Sequence, residues 1–154
     1  MFKLLNNLIT PEGGVRRLGQ APYETLSLTD LRSAVRLILQ EDYTMDDSIR
    51  ENILLGSQSE SEISDEDIWR SLKLANLDKF VASLSEGLDS LLGSKGILLS
   101  GGQKKKLSLA RSFLDLDKVR ILVIDEPTTG LDPDSAEAVL RSIKALCDSG
   151  KIVI

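Results

Sequence analysis

Residues 121–132 read ILVIDEPTTGLD, a run of four apolar residues followed directly by two carboxylates. An uninterrupted apolar run of strand length is typical of a parallel sheet that is covered on both faces. Ligands of such sheets bind at the carboxyl ends of the strands, and Asp125 and Glu126 stand at that end. The stretch therefore predicts a buried strand that presents Asp125 and Glu126 at its tip.

These two carboxylates allow two interpretations. An Asp at this place suits Mg²⁺ held beside phosphate groups, and the next carboxylate can polarise an attacking water as a general base. The simpler interpretation is a strand that ends in solvated acids, since four apolar residues before Asp-Glu are common by chance. The chain contains no histidine, so any acid–base chemistry here depends on carboxylates.

A second motif, LSGGQ, occupies residues 99–103. Ser100 supplies a capping oxygen for a helix, and Gly101 and Gly102 let another molecule approach the backbone closely. The free N–H groups and the dipole of such a helix start favour an anion. The lysines at 104–106 follow in the first turns. They either meet a polyanion or are solvated side chains that improve solubility.

The composition restricts the class of protein. With 154 residues, of which 42% are hydrophobic, the chain suits one globular domain. No apolar run approaches the roughly 18–20 residues of a membrane span. The single Cys147 excludes a disulfide within the chain. The net charge of −5 argues against nucleic acid as the main partner.

The pattern along the chain alternates strand and helix at both ends and predicts only helices in the middle, at about residues 44–98. Within this region, Ser48-x-x-Glu51 and Ser64-x-x-Asp67 each predict a capping box at a helix start. The predicted fold class is α/β, with a parallel sheet interrupted by an all-helical subdomain.

The two motifs together carry a family resemblance. LSGGQKKKLSLARSFL followed by ILVIDEPTTGLD closely resembles the nucleotide-binding domain of ATP-binding cassette (ABC) transporters. DSIRENILLG and LGSKGILLSGGQ are similar to the exporter branch, and the resemblance covers essentially the whole chain. It implies a P-loop NTPase-like sheet. The α/β core is expected at about 1–43 and 116–154, with a helical signature subdomain at about 44–115.

The resemblance also implies roles for individual residues. Asp125 is the expected Mg²⁺ partner and Glu126 the expected catalytic base. Gln40 matches the Q-loop glutamine, which in the family contacts Mg²⁺ and the attacking water. The other residues expected to bind nucleotide belong to the signature motif and the D-loop: Leu99, Ser100, Gly101, Gly102, Gln103 and Asp132.

The family implies partners as well as ligands. ATP and Mg²⁺ are expected to lie in a sandwich dimer, where each signature helix faces the γ-phosphate bound on a second nucleotide-binding domain. Coupling helices of a transmembrane domain are the other expected partner, which implies a place at the cytoplasmic face of a membrane. No nucleic-acid partner is expected. The implied activity is ATP hydrolysis that drives export.

The phosphate loop G-x-x-x-x-G-K-[ST] is absent from all 154 residues. Its lysine and its backbone N–H groups normally hold the β- and γ-phosphates. The resemblance places this loop just before Met1 and a switch histidine just after Ile154. We therefore expect a domain truncated at both ends and inactive alone. The alternatives are a non-catalytic partner cassette that supplies only the signature surface, a truncated product, or a soluble cassette ATPase of another branch.

Overall fold

A computed structural model describes residues 12–38, 43–55, 57, 63–94 and 96–154. The strands in these residues are β1 (Arg17–Leu18), β2 (Ala21–Pro22), β3 (Val35–Ile38), β4 (Ile121–Ile124) and β5 (Ile152–Val153). The helices are α1 (Leu28–Ala34), α2 (Ile49–Leu54), α3 (Asp65–Leu74), α4 (Asp78–Ala82), α5 (Gly101–Phe113) and α6 (Pro133–Asp148). Short 3-10 turns occupy Tyr23–Thr25 and Gly87–Asp89.

A parallel sheet of three strands carries the two candidate carboxylates, with β4 between β3 and β5. Ile38 lies opposite Ile124, so β3 and β4 end together at one edge of the sheet. Successive side chains of a strand point to opposite faces. Leu122 and Val123 are both fully buried, so both faces of β4 are covered. This confirms the predicted buried strand and puts residues 125 and 126 at its carboxyl end.

The middle of the chain is mainly helical, as predicted, and its core forms where α5 packs against α2 and α3. Ile68 and Leu72 of α3 and Leu107 of α5 have at most 1% of their surface exposed. The connector into α5 is different, because isolated bridges pair Ser48 with Leu91 and Leu92 with Ile97. The segment before α5 is therefore a loop rather than a helix, and the bridge between Ser48 and Leu91 joins it to the start of α2.

The helix starts follow the sequence with one correction. Ser64 and Asp67 form the complete capping box predicted for α3. At α2 only half of the predicted box forms: Ser48 Oγ accepts the N–H of Glu51 at 3.1 Å. The N–H of Ser48 donates instead to Asp47 Oδ1 at 2.7 Å. Asp47 therefore occupies the donor that the Glu51 side chain would need.

Candidate functional site

The end of β4 presents Asp125 and Glu126 in different environments. The N–H of Asp125 donates to the carbonyl of Ile38 at 3.0 Å, which continues the β3–β4 ladder by one residue. Asp125 is accordingly half-buried, whereas Glu126 is exposed. The two carboxylates therefore lie at the carboxyl end of the sheet, where parallel α/β proteins bind their ligands.

Glu126 has an unusual backbone conformation. Its φ angle is 49°, in the left-handed region that few residues other than glycine adopt. Its carboxylate accepts a hydrogen bond from Thr129 Oγ1 at 3.0 Å. Strained backbone of this kind clusters at functional sites, where the surrounding structure holds it in place.

We expect Glu126→Gly to be more stable than Glu126→Ala by about 0.5–1 kcal/mol. The left-handed conformation costs an L-residue roughly 1–2 kcal/mol, of which the greater entropy of unfolded glycine offsets about half. Both variants lack the carboxylate, so their difference isolates the backbone strain. Urea unfolding of the two variants measures it, and an alanine variant equal to or more stable than the glycine variant would contradict the prediction.

The start of α5 is capped as the sequence predicts. Ser100 Oγ accepts the N–H of Gln103 at 3.2 Å, and Gln103 Oε1 accepts the N–H of Ser100 at 2.9 Å. A Cβ atom built on Gly101 would meet no atom within 4 Å outside its chain neighbours and its own helix backbone. This corner of the helix therefore offers open space beside its free N–H groups, as close approach of an anion requires.

Gly102 faces the opposite way and joins the two motifs within one chain. A Cβ atom at residue 102 would lie 3.4 Å from the carbonyl oxygen of Gly130 and 3.8 Å from Leu131 Cδ2. The start of α5 thus packs on the loop that follows the two carboxylates. The sequence predicted each motif separately, and the structure brings them together.

Asp132 ends that loop and caps α6, because its Oδ1 accepts the N–H of Ser135 at 2.9 Å. Hydrogen bonds from Ser135 lower the pKa of the Asp132 carboxyl, and the positive charge of Lys106 on α5 lowers it further. Pro133 follows at the start of the helix, where a proline is favoured because its missing N–H would have no helical partner. Asp132 is thereby committed to its ionised form.

A lowered pKa gives a stability contribution that is complete above the unfolded value and disappears as the pH falls through the folded one. For Asp132 the loss begins at about pH 4 and continues below it. We expect Asp132→Asn to match the native chain near pH 7, because Asn also caps helices well. Its unfolding free energy should fall less steeply in acid. Parallel denaturant series from pH 7 to pH 2.5 measure this, and identical slopes would contradict it.

The lysines after the signature motif are not all solvated. Lys104 is exposed, but Lys105 has only 3% of its surface exposed. The stem of Lys105 is therefore covered by protein, which corrects the expectation of a solvated side chain at this position. A long lysine side chain can pack its methylenes in this way while its ammonium remains at the surface.

Two predicted site residues remain, Leu99 and Gln40. Leu99 is partly buried against the main core, so it anchors the motif. Gln40 lies outside the described residues. Thr129 was missed by the sequence analysis, although its position three residues after Glu126 in a turn is one from which a hydroxyl can reach back to that carboxylate.

The described residues fit Mg²⁺ only as a partial site. They contain no group of three or more acidic, histidine or cysteine side chains close enough to enclose a metal. Mg²⁺ keeps several waters and commonly takes one or two protein carboxylates together with substrate phosphates. A single half-buried carboxylate at a strand end, Asp125, is compatible with that donor set.

Comparison with known proteins shows the family. The family described as "ABC transporter" matches residues 1–129. "Multidrug resistance protein sirA" of Leptosphaeria maculans is 38% identical over 91% of this chain. A "Multidrug resistance ABC transporter ATP-binding and permease protein" of Lactococcus lactis subsp. cremoris is 36% identical over 95% of it. The chain belongs to the ABC transporter family.

A solved structure supports the same assignment. The "Structure of a bacterial Atm1-family ABC exporter with ATP bound" superimposes with a TM-score of 0.84 and 28% identity over 99% of this chain. The fold is therefore that of an exporter's nucleotide-binding domain. The chain spans 11% and 24% of the two relatives and 26% of the exporter. Across the described ranges, no helix is both long and apolar enough to cross a bilayer.

Proposed function

We propose that this chain is part of the ATP-binding and ATP-hydrolysing motor of an ABC-type exporter. The observation that carries the proposal is the open Gly101 corner, which stands on a helix start packed against the loop that leads from Glu126 to Asp132. One surface thus offers anion-binding N–H groups and hydrolytic carboxylates. The family membership and the multidrug transporters among its relatives support the same function.

Each residue has a proposed role. Asp125 and Gln40 hold Mg²⁺, which when bound supplies positive charge to the phosphates. Glu126, oriented by Thr129, accepts a proton from the attacking water. The remaining residues contact nucleotide across the dimer interface: Leu99, Ser100, Gly101, Gly102, Gln103 and Asp132. In this proposal a second nucleotide-binding domain completes each site, and the carboxylates and the open glycine of one chain serve different ATP molecules.

The same proposal extends to the partners. Coupling helices of a transmembrane domain dock on the helical subdomain at about 44–115, and the α/β core at about 1–43 and 116–154 carries the carboxylates. The assembly lies at the cytoplasmic face of a membrane. Its likeness to an exporter with ATP bound supports this arrangement.

A second candidate function needs only the open Gly101 corner, which is intact in this chain. In this function the chain supplies the corner to a complete cassette on another protein. The 154 residues contain no phosphate loop, so we expect them to bind no ATP measurably by themselves. Calorimetry with the isolated chain tests the lack of binding, and micromolar ATP affinity would contradict it.

Gly101→Asp tests the proposed role of the corner. The chain is mixed with ATP and a complete, hydrolysis-deficient exporter cassette, and complex formation is followed by sedimentation. A negative charge facing phosphate should weaken the ATP-dependent complex by about tenfold or more. Leu140→Asp is the control, because it adds the same single negative charge at an exposed position of α6, outside the candidate site. Equal complex formation by Gly101→Asp and the native chain would show that the corner does not face nucleotide.

A further inference from the structure

A cavity of about 650 Å³ lies between α1, β3 and the C-terminal part of α5. Its size is typical of small-molecule sites. The described residues that line it include none from the candidate site at 99–103 and 125–132. The described residues proposed to bind ATP are thus absent from the lining, part of which belongs to the helical subdomain proposed to receive the coupling helices.

The lining is cationic although the chain as a whole has a net charge of −5. The charged side chains around the cavity are four cations and two carboxylates: Arg32, Arg36, Arg111, Lys118, Asp30 and Asp115. They leave a surplus of two positive charges in one enclosure. A cleft lined mainly by one sign of charge concentrates ions of the opposite sign.

Arg36 of β3 is one of the two cations withdrawn from bulk water. Its Nη1 donates to the carbonyl of Ser112 at 3.1 Å and to the carbonyl of Leu114. Burial lowers the pKa of Arg36, and the nearby Asp115 offsets this only in part. Carbonyl oxygens satisfy N–H groups but do not neutralise a charge.

Arg111 of α5 is held in the same way. Its Nε donates to the carbonyl of Asn52 at 2.7 Å and its Nη2 to the carbonyl of Tyr43 at 3.0 Å. Burial lowers its pKa as well. Within the described residues, the ion pairs include neither Arg111 nor Arg36. Charges withdrawn from water are normally paired, so both guanidinium groups lack a full counter-charge.

Both arginines keep N–H donors for a ligand. A guanidinium carries five N–H donors, and the contacts above use only part of them. In the described part of the chain, the one fully buried side-chain nitrogen or oxygen without a hydrogen bond is Arg16 Nε. Neither Arg36 nor Arg111 therefore has a nitrogen that is both fully buried and without a hydrogen bond, and both residues line the cavity.

We propose that this cavity binds a phosphate-type oxyanion. The planar guanidinium groups of Arg36 and Arg111 match the oxygens of phosphate and would supply charge-assisted hydrogen bonds. Arg32 and Lys118 add positive charge at the rim. The bound anion would provide the counter-charge that the two withdrawn arginines lack. The inference does not depend on the proposed ATPase function.

The test is a titration of the ¹⁵N-labelled 154-residue chain with inorganic phosphate, followed by NMR at constant ionic strength. We expect saturable shifts around Arg36, Ser112 and Lys118, with a dissociation constant on the order of 1 mM. AMP is a second ligand. Tighter binding of AMP than of phosphate at these same amides would identify a phosphorylated small molecule as the natural anion.

Rim variants keep the test independent of folding. Arg36 and Arg111 also tie α5 to its neighbours, so the variant is Arg32→Gln/Lys118→Gln, which changes exposed lining residues. We expect it to weaken phosphate binding about tenfold. The control is Arg141→Gln/Lys144→Gln on α6, which removes the same charge away from the cavity. Equal weakening by both variants would overturn the proposal. So would shifts confined to the start of α5, or no saturable shift up to roughly 20 mM phosphate.

Discussion

Asn52→Leu will destabilise the fold by about 3–5 kcal/mol, because it removes four hydrogen bonds from the turn at residues 45–48. Asn52 is fully buried. Its Oδ1 accepts the N–H of Met45 at 2.8 Å. Its Nδ2 donates to the carbonyls of Met45, Asp47 and Ser48 at 3.1, 3.3 and 2.9 Å.

The cost is not the same for the four bonds. Each of the three carbonyls keeps a backbone donor, for example the N–H of Leu92 on Asp47 at 2.9 Å. The N–H of Met45 has no other partner among the described residues. An orphaned buried donor costs about 1–3 kcal/mol, and each of the lost shared bonds about 0.5–1.5 kcal/mol.

Denaturant unfolding of Asn52→Leu measures the effect, and a loss below about 1 kcal/mol would contradict the account of the turn. Asn52→Asp is the isosteric control. Its carboxylate can still accept from Met45 but faces three carbonyl oxygens, which raises its pKa. The stability difference between this variant and the native chain should therefore be smallest at low pH and should grow as the pH rises through that pKa.

Glu126→Gln is expected to lower ATP turnover by about 10²–10⁴-fold while ATP binding is retained. The amide keeps the shape and the hydrogen bond from Thr129 but cannot accept the proton of an attacking water. The assay needs the missing phosphate loop. It therefore uses a chimera in which the corresponding segment of the Lactococcus lactis relative precedes residue 1.

Glu137→Gln is the matched control, because Glu137 is an exposed residue of α6 that pairs with Arg141. It removes the same charge outside the candidate site and should leave turnover within about twofold. Hydrolysis by Glu126→Gln at the native rate would exclude Glu126 as the base. Loss of ATP binding in this variant would instead indicate that Glu126 acts on the ground state.

Local rules predicted most of the fold. The apolar run at 121–124 formed a strand buried on both faces, and the caps at Ser64 and Ser100 formed as the sequence indicated. The half-formed box at Ser48 shows the limit of such rules, because Asp47 competes for the same N–H group. The capping-box pattern considers only positions 48 and 51, so it takes no account of a competing acceptor on the neighbouring residue 47.

The features of the site that the sequence did not predict depend on contacts between residues far apart in the chain or on the surrounding turn. The spacing of 99–103 and 121–132 identifies two motifs but contains nothing about the contact between Gly102 and Gly130. Burial of Lys105 likewise depends on which face of α5 the rest of the domain covers. The left-handed conformation of Glu126 arises from the turn that surrounds it, and its side chain gives no hint of it.

Substitutions of the adjacent glycines 101 and 102 should be compensated by second mutations at different places. A Cβ atom at residue 101 would meet no atom of this chain within 4 Å, so in the proposed dimer the suppressors of a bulky residue there would lie on the facing surface of the second nucleotide-binding domain. A bulky residue at 102 would press on Gly130 and Leu131, so its suppressors would lie in that loop of the same chain. Suppressors of substitutions at position 101 would thus identify the assembly interface, and those at position 102 would identify a contact within the fold.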